Sequence, residues 1–224
     1  MHSSTLRGST FARSLAYIVG VPTADSAVIR RLGAASVPLL CIAEGCERFA
    51  ASLLAALLAL RLNEQWGVAP GQAARAVAWF DALCYGAGLG GAWLADRWLG
   101  LPRATVFGAA LLALGYVALT VELVPALLLG LVLLFIGHAL YKPSISGWVA
   151  SVAEQTGWQP VSAMRWFYFT VNAGSVVGPL AAAGLRSCCG FSVAVGIAAG
   201  VMILAWLLLR LVGCSAPPRP TARN

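Results

Sequence analysis

Glu44, Glu47 and Arg48 crowd into one short run, Glu44-Gly-Cys-Glu47-Arg48-Phe49, with apolar sequence on both sides. His138 and Lys142 stand four residues apart in a second apolar run, with Pro143 directly after the lysine. On a helix, residues four apart share a face, so Glu44 pairs with Arg48 and His138 with Lys142. An ionisable side chain in the middle of a membrane span costs on the order of 2.5–3.5 kcal/mol on insertion scales. Such groups therefore face a cavity or one another. If the two runs touch, two carboxylates meet two cations. The chemistry available is proton exchange on a carboxylate and the binding of a charged solute. A structural ion pair locking two helices needs only one pair, and four charged groups are present.

The elements that must position these residues follow from composition. The chain has 224 residues, of which 60% are apolar and 10% charged. Soluble domains carry about a quarter charged residues, so polar catalytic domains and nucleic-acid-binding modules are excluded. About 20 apolar residues cross a bilayer as a helix, and the sequence divides into six such segments, at about 35–60, 74–94, 104–123, 126–152, 161–185 and 190–212. The expected architecture is all-α: a six-transmembrane-helix bundle over residues 35–213. A polar basic tail (1–34) precedes it and a Pro-rich, disordered cytoplasmic tail (214–224) follows. Short connections force successive spans to run antiparallel. They include Asp96-Arg97 through Pro102-Arg103 between spans 2 and 3, and Arg186–Cys189 between spans 5 and 6.

The net charge of +7 comes from 15 Lys plus Arg against 8 Asp plus Glu, and the arginines set the orientation. With the N-terminus inside, Arg7, Arg13, Arg30, Arg31, Arg97, Arg103, Arg165, Arg210, Arg219 and Arg223 are cytoplasmic, whereas Arg61, Arg75 and Arg186 lie outside. Basic residues accumulate in cytoplasmic loops, so both termini are expected there. The six cysteines show no metal-ligand spacing and read as small apolar fillers. No metal, cofactor or nucleic acid is implied.

Other polar residues lie in the same runs. Asp81 precedes Tyr85 by four and reads as a solvated acid near the outer end of its span. Arg165, Tyr168, Asn172 and Ser175 fall roughly along one face of span 5, where Asn172 could offer its amide to a ligand. Gly86-Ala-Gly88-Leu-Gly90-Gly91 contains a literal G-x-G-x-x-G but sits inside an apolar span, so it fails the strand–turn–helix context of a nucleotide site. Close helix packing is the expectation there, as for Gly174/Gly178 and Gly196/Gly200. Ser144-Ile-Ser146-Gly147 imitates a protease nucleophile. His138 is on the same helix, however, eight residues and about 12 Å from Ser146 at 1.5 Å per residue. An enzyme is not expected.

Four stretches in order resemble the proton-dependent oligopeptide transporter family of the major facilitator superfamily. Glu44-x-x-Glu47-Arg48-Phe49 is similar to the family's first-helix motif. Tyr85 and Gly91-Ala-Trp-Leu-Ala-Asp96-Arg97-x-Leu-Gly100 resemble its second helix and the loop that follows. Tyr141-Lys142-Pro143-Ser144-Ile145-Ser146 is similar to its Phe-Lys-Pro-Asn-Ile-Ser stretch. Phe167-Tyr168-Phe169-Thr-Val-Asn172-Ala-Gly174-Ser175 resembles its Phe-Tyr-x-x-Ile-Asn-x-Gly-Ser signature.

The resemblance covers about 35–212 and implies the N-terminal six-helix half of a major facilitator fold. It implies proton-coupled symport of di- and tripeptides by a fragment, a half-transporter or a pairing subunit. Proton coupling would fall to Glu44, Glu47, Arg48 and Lys142. Substrate binding would fall to Arg48, Tyr85, Lys142 and Asn172, and the conformational loop would hold Asp96, Arg97 and Arg103. Implied partners are a small peptide, a proton, the lipid bilayer, and a second six-helix half or a second copy of the chain. The membrane would be a bacterial inner membrane or a eukaryotic plasma or endomembrane. Several positions depart from the pattern: Ala51 and Ser52 replace tyrosines, Ala78 stands where animal members carry histidine, and Ala92, Leu101 and Ser144 differ. Asp81 occupies a usually apolar position. These departures keep open a transporter of another small anionic or zwitterionic solute, or a non-transporting scaffold of the same fold.

Overall fold

The computed structural model describes residues 33–213. Among them there is no strand, and after a short 3-10 turn the chain is helical almost throughout. We label the helices α1 (Ser36–Trp66), α2 (Pro70–Leu94), α3 (Leu101–Leu119), α4 (Val124–Thr156), and α5 and α6, which divide the helical stretch Pro160–Gly213 at Gly190. The expected tails at 1–32 and 214–224 lie outside the described residues, as do Cys214 and the basic residues Arg7, Arg13, Arg30, Arg31, Arg219 and Arg223.

Helix boundaries follow the chain's Gly and Pro residues. Gly67 closes α1 at φ 65°, its N–H donating to the Asn63 carbonyl at 3.1 Å. Such a left-handed cap suits glycine, which has no Cβ to clash. Pro70, Pro102, Pro125 and Pro160 sit in the first turns of α2, α3, α4 and α5, where a missing N–H removes no helical bond. Two connections are tighter than the sequence suggests. Ala95–Leu99 forms a π-helical turn rather than a loop, and only Gly100 (φ 80°) separates it from α3. Arg186–Cys189 remains helical, and the break falls on Gly190 alone (φ 81°, ψ 176°).

Three stretches, Leu101–Leu119, Val124–Thr156 and Pro160–Gly213, are long and apolar enough by themselves to cross a membrane. The last is two crossings once divided at Gly190. α1 and α2, at 31 and 25 residues, have the length, and their polar residues lower the apolar content. Of those in α1, Glu44, Glu47 and Arg61 are buried in the interior. Conversely, Trp79, Leu89 and Leu180 on the outer surface are 70%, 83% and 72% exposed.

α1 packs chiefly on α5 and α6, α3 on α4 and α6, and α2 on α4. Several approaches are backbone to backbone. A Cβ on Gly174 would stand 2.4 Å from the Gly45 carbonyl oxygen, and one on Gly178 would stand 2.7 Å from that of Phe49. The α2–α4 approach is closer still: a Cβ on Gly91 would lie 1.7 Å from the Ala139 carbonyl oxygen. That carbonyl lacks its ordinary donor four residues on, because residue 143 is proline. Pro143 thus opens the ladder of α4 where Gly91 lays its backbone against it, a geometry suited to a weak Cα–H···O contact. The other glycines of that run behave differently. Gly86 and Gly90 would meet nothing within 4 Å, and neither would Gly200, while Gly196 makes only ordinary contact. Of the glycines singled out in the sequence, Gly91, Gly174 and Gly178 make the close contacts, and Gly108, Gly115, Gly130 and Gly137 do the same between α3 and α4.

One end of the bundle is tied by polar contacts. Glu64 pairs with Arg186, the Arg61 guanidinium lies 4.4 Å over the Phe191 ring, and Ser192 donates to Glu122 at 2.7 Å. These bring the α1–α2, α3–α4 and α5–α6 junctions together, as an up-and-down bundle requires.

The Gly91 contact makes a direct prediction. Gly91→Ala forces α2 off α4, whereas Gly90→Ala adds a methyl to open space. Overpacking of this kind costs about 1–3 kcal/mol. Thermal unfolding in detergent should show a lower Tm for Gly91→Ala and a Tm within error of the parent for Gly90→Ala.

Candidate functional site

α1 delivers Glu44, Glu47 and Arg48 into the bundle through its close contact with α5, where Gly174 abuts the backbone beneath Arg48. Ser52, one turn on, donates to the Arg48 carbonyl at 2.7 Å and lies 3.2 Å from that of Gly174. Small residues on both helices thus set the depth of the arginine. α4 delivers His138, Tyr141 and Lys142 in the same way, since Gly108 of α3 lies against the Gly137 carbonyl and the Tyr141 N–H.

The side chains converge on Glu47, which is 0% exposed. Arg48 grips it with two nitrogens, Nε to Oε2 and Nη2 to Oε1, both at 2.6 Å. Lys142 Nζ donates to Oε2 at 3.1 Å. His138 Nε2 lies 3.0 Å from Oε1, and its Nδ1 faces the Leu134 carbonyl at 2.8 Å. Both imidazole nitrogens thus face acceptors, and the ring satisfies both only with two N–H groups. A buried carboxylate is stable when paired and fully hydrogen-bonded. Glu47 meets that condition.

Glu44, 3% exposed, has a different environment. Its Oε1 stands 3.8 Å from Arg48 Nε, beyond a hydrogen bond. Its Oε2 and the hydroxyl of Tyr141 are both buried, and the two side chains face one another. Two acids separated by one helical step therefore have distinct surroundings, one saturated and one held loosely.

A cavity of about 230 Å³ opens beside this cluster, lined by Arg48, Ser52, Asp81, Tyr85, His138 and Lys142 among others. Tyr85 closes one side, accepting from Arg48 Nη1 at 3.1 Å, with its ring 5.6 Å from Lys142 Nζ. Ala51 and Ala55 also line it, so this wall is built of small side chains.

The structure brings Glu44, Glu47, Arg48, Tyr85 and Lys142 together. Asn172 lies elsewhere: its amide donates to the Tyr168 carbonyl at 2.8 Å, and it lines a separate shallow hollow with Arg165, Tyr168 and Phe169. Ser175, from the same predicted face, does line the cavity. Asp96 and Arg97 occupy the π-helical turn, Arg97 lying 5.8 Å over the Trp93 ring, and Arg103 sits in the first turn of α3. Asp81, expected as a solvated acid at the end of its span, lines the cavity instead. Its signal was its spacing with Cys84 and Tyr85, which puts all three on one face of α2. Cys84 and Cys41 are buried fillers as expected, but Cys188 and Cys189 are exposed.

A profile of the family described as "PTR2: POT family" matches residues 103–214. The chain belongs to the POT family. It is 32% identical over 160 residues to dipeptide and tripeptide permease A of Proteus mirabilis (strain HI4320), covering 70% of this chain and 33% of that protein. It is 31% identical over 150 residues to the permease of the same name from Escherichia coli (strain K12), covering 66% and 30%. Among solved structures it is similar to a peptide transporter POT in complex with sulfate, with a TM-score of 0.72 at 25% identity over 87% of this chain and 40% of that one. A POT family transporter in complex with a thioalcohol-conjugated peptide gives 0.71 at 26% identity over 77% and 37%. The chain spans about a third of the length of the curated relatives it matches. POT membership and the apolar helices together make it an integral membrane protein with the all-helical fold of a transporter half.

Removing Glu47 should expose how much the cluster depends on it. Glu47→Gln leaves the part-buried Lys142 without its counter-charge and Arg48 with only the more distant Glu44, a change of about 3 kcal/mol, the lower end for a broken buried pair. Lys142→Met leaves Glu47 its two arginine bonds and should cost less. Thermal unfolding in detergent should rank the Tm values parent, Lys142→Met, Glu47→Gln, from highest to lowest.

Proposed function

We propose that this chain forms one wall of a proton-coupled di- and tripeptide transporter, with Arg48 and Lys142 as the cations that receive a peptide carboxylate. The observation that carries the reading is the shared use of Glu47. Its two oxygens hold Arg48, His138 and Lys142 at hydrogen-bond distance beside an open cavity. An arriving carboxylate competes with Glu47 for the same donors. A carboxylate that shares its cations with a second anion takes up a proton more readily, so ligand and proton are linked through one acceptor. Glu44, with one oxygen 3.8 Å from Arg48 and its side chain facing Tyr141, is the second acid of the pair. Tyr85 and, from its separate hollow, Asn172 are the proposed backbone contacts, and Asp96, Arg97 and Arg103 the coupling turn. The relatives' names support the substrate class, as they are dipeptide and tripeptide permeases. A second six-helix half or a second copy of the chain is the proposed partner across the cavity.

The direct test is binding and uptake of labelled dialanine by the purified chain in proteoliposomes with an inward proton gradient. Lys142→Ala should weaken dialanine binding at least about tenfold, the scale of one charge-assisted contact. Binding that survives Lys142→Ala unchanged contradicts the assignment.

We further place both termini on the cytoplasmic side, supported by the arginine asymmetry. That orientation puts the exposed Cys188 and Cys189 on the outer face. A membrane-impermeant maleimide applied to intact cells should label the parent chain and lose its signal in the Cys188→Ser/Cys189→Ser variant. Labelling that appears only after the cells are permeabilised reverses the orientation.

A further inference from the structure

The cavity contains one carboxylate that the cation cluster does not use. Glu47 is saturated, and Glu44 is buried behind it. Asp81 lies on the cavity lining, one turn before Tyr85 on α2, and its side chain is exposed. Among the described residues it makes no hydrogen bond and no ion pair, although His138, Arg48 and Glu47 are within electrostatic reach. The face of α2 that carries it is fixed toward the cavity, because Tyr85 bonds Arg48 and the buried Cys84 also lines the wall. Lys142 lines the same cavity with one proton on Glu47, leaving donor capacity for another acceptor. The cavity is thus bipolar, with an unpaired carboxylate on α2 and an incompletely used ammonium on α4.

We propose that Asp81 is the ammonium-binding residue of this cavity, so that it selects zwitterionic ligands over ligands with a blocked amino group. The ligand carboxylate goes to Lys142 and Arg48, and the ligand ammonium to Asp81. An ionised acceptor facing an ammonium makes a charge-assisted hydrogen bond, about twice as strong as a neutral one. Acetylating the ligand nitrogen removes the charge and leaves the Asp81 carboxylate facing an amide. This inference rests on reading the cavity as a peptide site, and the experiment separates the two.

Equilibrium binding to the detergent-purified full chain would be measured for dialanine, N-acetyl-dialanine and propylammonium, in the parent and in Asp81→Asn and Asp81→Glu. The expected result is an about tenfold preference of the parent for dialanine over its N-acetyl form. Asp81→Asn should abolish that preference while leaving N-acetyl-dialanine binding unchanged, and Asp81→Glu should restore part of it. Both peptides binding with the same ratio in parent and Asp81→Asn overturns the role of Asp81 and leaves the peptide reading standing. If neither peptide binds, the peptide reading fails and propylammonium decides for Asp81. Binding to the parent but not to Asp81→Asn supports the ammonium site; equal binding, or none to either, overturns it.

Discussion

Burying a carboxylate in an apolar bundle costs several kcal/mol unless counter-charges and hydrogen bonds satisfy it, and Glu47 is buried completely. Its two oxygens serve Arg48 from its own helix and His138 and Lys142 from α4. The rest of the site depends on this shared acceptor. It holds α1 to α4 at the depth where water is excluded, and it fixes the two cations at the mouth of the cavity. Because three donors share one group, a change at any of them is felt by the others. A cluster of this kind suits a device that must couple two ligands. An isolated ion pair would lock the helices and do no more.

The cluster can form only because the helix backbones come unusually close. Gly174 and Gly178 let α5 rest on the α1 backbone under Arg48, and Gly91 lets α2 rest on α4 at the carbonyl that Pro143 leaves without its usual donor. Side chains at those places would hold the helices apart by ångströms, and hydrogen bonds of 2.6–3.1 Å around Glu47 would be lost. Pro143 thus has two consequences. It follows the lysine that binds charge, and it frees the carbonyl on which the neighbouring helix seats. The departures Ala51 and Ser52 act at the same wall, where small side chains leave the cavity open.

Much of this was legible in the sequence because the physics is local. Charges scarce enough to stand out in apolar runs marked Glu44, Glu47, Arg48 and Lys142, and helical periodicity placed each pair on a face. What the sequence could not rank was which residues meet across helices. Asp81 reads as a span end because a lone acid in an apolar run costs least where water reaches it, and only the packing of α2 on α4 sets it beside the cavity. Gly86 and Gly91 belong to the same motif, yet one meets open space and the other a backbone oxygen. His138 became a partner of Glu47 through a contact between residues 91 apart in the chain. The straight run of helix through Arg186–Cys189 and the π turn at Ala95–Leu99 were hidden for another reason, since polar residues at a membrane boundary read as loop whatever their backbone does.

The central claim is that the ligand competes with Glu47 for the same cations, so that ligand binding draws a proton onto Glu47, and calorimetry reads that linkage without requiring transport. Dialanine binding to the purified chain would be titrated in two buffers of equal pH and different ionisation enthalpy, and the difference in heat gives the protons exchanged. The account predicts net proton uptake on binding by the parent chain and a marked fall in that uptake in Glu47→Gln. Dialanine binding with no proton exchange in the parent, or with the same uptake in Glu47→Gln, would contradict it.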